Sequence, residues 1–252
     1  MAGIGMGSRG AAVVVALGLL VGGAGCSTLQ MVPPADVAAD SDLLEPEGRS
    51  GWSGLFVDET FKIGPYEIAD VDRDWNKGSG SSFGLVSGED ADGNSRYALG
   101  YTSSSVKTGF AYKVKEGAEA LPARCASATE REHVTVGLRF GSEESRFLCT
   151  CGDGAGAATL EMKDDGRRKY QGRILLDRGA LTVTSIHEAE GAAWDLREPA
   201  GYVVDEAGRA LAAVDVLNKG RIWLGRSLHP TERRQVACLL TGLMLYEHPD
   251  ED

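Results

Sequence analysis

One short segment limits the folds open to this chain. Val236-Ala237-Cys238-Leu239-Leu240-Thr241-Gly242-Leu243-Met244-Leu245-Tyr246 is apolar nearly all round, not on one helical face. It follows His229-Pro230-Thr231-Glu232, which reads as a helix start, with proline in the first turn and an acid near the positive end of the helix dipole. A helix that is apolar on every side has to be surrounded, by protein or by lipid. Its eleven residues rise only about 16 Å, well short of the ~30 Å hydrocarbon core of a bilayer. The sequence therefore calls for a helix over about residues 230–246 that the rest of the chain encloses.

What surrounds it alternates apolar and polar residues, as half-buried strands do. The pattern recurs in Tyr66–Asp72, Arg96–Tyr101, Phe110–Val114, His133–Phe140, Thr159–Met162 and Leu181–Ile186. Turn signals separate these runs: Asp92-Gly93-Asn94, Asp164-Asp165-Gly166, Asp177-Arg178-Gly179, Asp205-Glu206-Ala207-Gly208 and Asn218-Lys219-Gly220. Asp-Gly pairs and a glycine closing a short loop suit hairpins that need positive φ. The fold expected is mainly β: an antiparallel closed barrel around the C-terminal apolar helix, with a β-sandwich carrying one packed helix as the alternative.

A final hairpin set, Tyr202–Asp205, Ala210–Asp215 and Ile222–Leu224, followed by the terminal apolar helix, resembles the end of the tubby-like barrel. The LURP-one-related proteins and the phospholipid scramblases look similar. The likeness covers about residues 200–246 and extends weakly back to residue 50. It implies a closed barrel wrapped around a C-terminal helix. Tubby domains bind phosphoinositides through basic residues, and this acidic chain offers no comparable cluster, so the resemblance carries a fold and no ligand.

The N-terminus carries an address. Arg9 is the only charge of a short n-region, Ala11–Val21 form an apolar h-region, and Gly22, Gly23, Ala24 and Gly25 are the small residues expected near a cleavage point. Leu19-Leu20-Val21-Gly22-Gly23-Ala24-Gly25-Cys26 resembles the lipobox of bacterial lipoproteins, with Gly23 where leucine is usual. The resemblance implies a signal peptide at residues 1–25 and a mature Cys26 bearing several acyl chains such as palmitate. More than one chain is what makes a lipid anchor stable.

Residues 26–49 then read as the lipidated cysteine and an acidic flexible tether, with Pro33, Pro34 and Pro46 among Asp36, Asp40, Asp42, Glu45 and Glu47. Such a tether would reach about 25–30 Å on average. The β-rich domain is expected over residues 50–246 and an acidic tail over 247–252. Loss of residues 1–25, which hold Arg9 and no acid, takes the net charge from −11 to −12. An acidic chain is a poor partner for nucleic acid or anionic headgroups.

An exported protein keeps disulfides. Cys149 and Cys151, two apart on a strand, point to one face. One bridge is expected, from Cys125 to either Cys149 or Cys151, while Cys238 in the apolar helix reads as a small buried hydrophobe. A four-cysteine zinc site fits poorly, because Cys-x-Cys lacks the usual spacing and no second close pair exists.

The remaining signals for chemistry are faint. Asp70, Asp72 and Asp74 put three acids on one strand face, and Asp-x-Asp-x-Asp opens a calcium loop. That motif wants glycine at its sixth position and glutamate at its twelfth, where this chain has Trp75 and Ser81. The triad reads as a solvated face. His133, His187, His229 and His248 lie in plain contexts, and there is no Gly-x-Ser-x-Gly elbow. Gly78-Ser79-Gly80-Ser81-Ser82 lacks the end of a P-loop. Trp52, Trp75, Trp194 and Trp223 read as core or cross-strand residues before they read as a binding surface.

No catalytic residue or cofactor is assigned. The sequence reading is a membrane-anchored envelope lipoprotein. It would serve as a binding or scaffold module for an unknown protein or envelope component, held at the membrane through lipid on Cys26. The alternatives are an envelope hydrolase using surface carboxylates such as Asp70, Asp72 and Asp74, or a carrier of a hydrophobic ligand. What fills the barrel separates them.

Overall fold

A computed structural model describes residues 29–49, 59–74, 83–86, 98–101, 106–131, 143–164 and 169–246. Residues 1–25, Cys26, the strand expected at 133–140, the turn at 92–94 and the tail at 247–252 lie outside the described residues.

The chain begins with β1 (Gln30–Met31), α1 (Ala35–Asp40), β2 (Ser41–Leu44), β3 (Pro46–Glu47), β4 (Glu59–Ile63) and β5 (Tyr66–Asp74). A separate hairpin pairs β6 (Phe83–Val86) with β7 (Ala98–Tyr101). Then come β8 (Val106–Glu116), β9 (Glu119–Arg131), β10 (Glu143–Cys151), β11 (Ala158–Asp164), β12 (Tyr170–Leu176), β13 (Gly179–Ile186) and β14 (Ala189–Glu190). The last elements are β15 (Gly201–Glu206), β16 (Arg209–Asp215), β17 (Arg221–Gly225) and α2 (Pro230–Leu245).

Thirteen strands form one antiparallel sheet in the order β2-β17-β16-β15-β13-β12-β11-β10-β9-β8-β5-β4-β3. Its two edges, β2 and β3, are separated in the chain by Glu45 alone. The first segment thus pairs with β17 on one side and with β4 on the other, and the sheet comes round on itself as a nearly closed barrel. Among the described residues, closure leaves the barrel sheet only the short edges β2 and β3.

Helix α2 lies within this barrel. It packs on β9, β10 and β11, and also on β16 and β17, two groups far apart around the sheet. A helix on the outside of a sheet meets neighbouring strands only. Every residue from Gln235 to Leu245 is buried. Each buried leucine among them contributes about 1.5–3 kcal/mol of transfer free energy. The barrel with a C-terminal helix is thus the architecture present, and the sandwich alternative is not.

Among the strands lining α2, β9 is one whose apolar alternation the sequence hides. On β9 the inward positions are Ala123, Cys125 and Ser127, and on β10 they include Cys149 and Cys151, all buried. Small side chains here leave room for a helix, and on β9 they blunt the apolar alternation that marks a strand.

The expected tether is part of the fold from residue 29 onward. Met31 and Val37 are buried on the outside of the wall with Ala200, Ala213 and Trp223, and Leu44 is buried in the main core. Helix α1 packs across β16 and β17, whose residues are therefore buried on both faces. Two of the acids that suggested solvation, Asp36 and Asp42, accept hydrogen bonds. Asp36 takes the Val37 and Ala210 amides, and Asp42 takes two arginines. The folded unit therefore starts well before residue 50.

Candidate functional site

The barrel interior comes first, because its contents decide what the fold can hold. Cys125 is bridged to Cys149, its cross-strand partner, and Cys151 is bridged to Cys238. One of the two partners left open for Cys125 is thus used. Cys238 corrects the sequence reading: it is no idle hydrophobe but ties α2 to β10. The enclosed position that made it look like a packing residue is also what sets it against Cys151.

Gly242 lies over the other bridge. A Cβ there would stand 2.7 Å from Cys149 Sγ, 2.9 Å from Cys125 Sγ and 3.0 Å from Tyr112 Oη. Glycine inside a helix costs about 1 kcal/mol relative to alanine. Here that cost permits close approach of helix and wall. The Tyr112 hydroxyl donates to the Cys238 carbonyl at 2.6 Å. Burial pushes that hydroxyl far above its ordinary pKa, so it stays a donor.

Both ends of α2 are fastened. At its start Glu232, Arg233, Arg234 and Gln235 reach the turns around one mouth of the barrel. Glu232 pairs with Arg178 in the β12–β13 turn, which also meets Glu206 at 2.6 Å. Arg233 meets Asp42 at 2.5 Å and donates to the Leu224 and Gly225 carbonyls. Arg234 pairs with Glu119 beside the β8–β9 turn, and Gln235 donates to the Gly156 carbonyl at 2.9 Å. The Arg226 guanidinium, and Arg233 beside it, hold the Asp42 carboxyl below the usual range. At the far mouth Arg49 donates to the carbonyls of Lys219 (2.6 Å) and Met244 (2.9 Å), and Arg73 to that of Leu245 (3.0 Å). Two cations thus stand at the negative end of the helix dipole.

Of the acid triad, Asp70 and Asp72 are described with their side chains. β5 carries a bulge between Ala69 and Asp72, with Asp70 at φ +53°. The bulge buries Ile68 and Ala69 in succession, after which Val71 is buried between the exposed Asp70 and Asp72. Asp70 is paired with Lys113 at 2.9 Å, which lowers its pKa. Asp72 is exposed, and the side chain of Asp74 lies outside the described residues. A lysine on a carboxylate occupies the place a cation would take. Among the described residues no three His, Cys, Asp or Glu side chains gather into a metal-binding group.

One pair escaped the sequence reading. His187 Nδ1 lies 3.0 Å from the Leu196 carbonyl, and its Nε2 lies 3.1 Å from Ser185 Oγ. A carbonyl only accepts, so Nδ1 carries the proton, and in the neutral ring Nε2 accepts from the serine hydroxyl. This is a serine–histidine geometry, but the Tyr170 amide already donates to Ser185 Oγ at 3.0 Å. The pair ties the connection after β13 to the wall. Ser-x-His on a strand end was the available signal.

The tryptophans divide. Trp223 is buried, with the Arg221 guanidinium 4.9 Å from its ring centroid. Trp194, expected in the core or in a cross-strand pair, is 82% exposed. It sits in the loop between β14 and β15, which makes few of the ladder contacts that would bury it. Trp52 and Trp75 lie outside the described residues.

The N-terminal strand is held by a carboxylate the sequence reading missed. Asp215, 1% exposed, accepts from the amides of Met31 (3.1 Å) and Leu217 (2.8 Å) and pairs with Arg221 at 2.8 Å. Among the described residues no helix is long and apolar enough to cross a membrane. Comparison with protein-family models, with curated proteins and with solved structures returns no match. The class is thus defined by its architecture: an antiparallel barrel plugged by its own C-terminal helix.

Proposed function

We propose that this chain is a lipid-anchored protein of the bacterial cell envelope whose barrel serves as a non-catalytic binding or scaffold module. The observation that carries the reading is the burial of all residues from Gln235 to Leu245 inside the barrel. A lumen filled by the protein's own helix favours use of the outer surface over an enclosed ligand. It weighs against the hydrophobic carrier. Pairing of Asp70 with Lys113 weighs against the carboxylate hydrolase.

The anchor rests on the lipobox-like Leu19–Cys26 segment and its leader. Two internal disulfides suit an oxidising compartment. The plugged barrel also supports kinship with the tubby-like group, without its basic ligand site.

The test has two arms. Cys26→Ala moves the protein from the membrane to the soluble fraction, and unchanged membrane association overturns the anchor. Capture from envelope extracts with the full chain retains a defined envelope component. Turnover of envelope polysaccharide or ester substrates by the purified protein overturns the non-catalytic role.

A further inference from the structure

Four large apolar side chains are exposed among the described residues: Leu29, Val32, Leu43 and Trp194. Two of them, Leu29 and Trp194, belong to the end where the chain enters β1. Leu29 and Val32 flank β1, which pairs with β14 through Gln30–Glu190 and Met31–Ala189. The pairing is antiparallel, so the chain leaving β14 at Glu190 runs towards the side from which the chain enters β1. Trp194 stands in that departing loop, which returns when the Leu196 amide bonds the His187 carbonyl at 2.9 Å. The Asn218 side chain donates to the Leu29 carbonyl at 2.6 Å and fastens the β16–β17 turn to the same end.

Only Ser27 and Thr28 separate Cys26 from Leu29. Fully extended, that link reaches roughly 10 Å. Because residues 29–49 are folded, the long tether expected from the sequence is absent, and an acyl-bearing Cys26 would hold this end against the bilayer. Tryptophan is the side chain most suited to the membrane–water boundary, with an apolar body and one donor N–H. Glu188, Glu190 and Asp195 outnumber the exposed Arg197 and Lys219 at this end, a slight negative excess that disfavours anionic lipid and favours a zwitterionic surface.

We infer that Leu29 and Trp194, at the end where the chain enters β1, form a membrane-facing surface that seats the barrel on zwitterionic lipid, with Trp194 at the headgroup boundary. The inference deepens the lipoprotein reading and rests on it for the anchor.

The test uses the protein as purified from its host membranes, its mass giving the acyl state of Cys26. The protein is reconstituted with phosphatidylcholine vesicles, and tryptophan quenching by brominated phosphatidylcholine is compared with quenching by aqueous iodide. Trp194→Phe should lose most of the lipid-quenchable signal while keeping the fold. If Cys26 is acylated and Trp194 is reached by iodide but not by bromolipid, the lipid surface is overturned and the anchor stands. If Cys26 is unacylated, the anchor is overturned, and bromolipid quenching of Trp194 still decides the surface. Trp194 shielded from both quenchers, in protein that retains an envelope protein, overturns the lipid surface in favour of a protein contact.

Discussion

Cys151 on β10 and Cys238 on α2 are joined by a disulfide that closes 87 residues of chain and fastens the enclosed helix to its wall. A cross-link across so long a loop removes much freedom from the unfolded chain. Replacing both cysteines by serine should lower unfolding free energy by roughly 3–5 kcal/mol, measured by urea denaturation. A loss well under that would mean that packing alone holds α2 in place. Thiol titration of the denatured, unreduced protein should find Cys125, Cys149, Cys151 and Cys238 all blocked.

Gly242 gives a test of enclosure with an unusual sign. Gly242→Ala improves helix propensity by about 1 kcal/mol. The new methyl nonetheless meets both sulfurs of the Cys125–Cys149 bridge. The variant should be less stable by about 1–3 kcal/mol, the range for overpacking a filled core. A stabilised variant would show that the helix has room to move.

Asp215 is expected to hold the N-terminal segment. Asp215→Ala strands the Met31 and Leu217 amides and leaves Arg221 without its carboxylate. The cost should be about 3–5 kcal/mol, as for a broken buried ion pair. Limited proteolysis should then cut first within residues 29–40. Protection there equal to that of the parent chain would contradict the assignment.

Acid should loosen the seam between β2, β17 and α2. The Asp42 carboxyl has a lowered pKa through Arg226 and Arg233. The folded state then binds its proton less readily than the unfolded chain does. The stabilisation is present above the ordinary carboxylate value of about 3.9 and is lost as pH falls through the lower folded value. The stability gap between the parent and Asp42→Asn should be flat near neutrality and shrink below about pH 4. A gap that does not change with pH would separate Asp42 from acid sensitivity.

Some of this was legible in the chain. The all-round apolarity of Val236–Tyr246 is a local property, and so are the hairpin signals at Asp177–Gly179 and Asp205–Gly208. In the latter, Ala207 and Gly208 both adopt positive φ and the Asp205 carboxylate accepts the Gly208 amide. β9 is harder to see, because its buried inward positions are Ala123, Cys125 and Ser127. Residues 29–49 were misread because acids and prolines are shared by tethers and by capped, hydrogen-bonded segments. Asp36 and Asp42 differ from solvated acids only in having partners.

By itself, the sequence determined that a short helix apolar on every side had to be enclosed, and that alternating strands had to do the enclosing. That follows from the cost of exposing apolar surface, which depends on composition and period alone. Only the tertiary structure decided how the barrel closes through β2 and β3, which cysteine faces which, and that residues 29–49 are folded. Those outcomes rest on pairs such as Met31 with Asp215, 184 residues apart. No local pattern specifies such pairs, because each half is satisfied only once the other is in place.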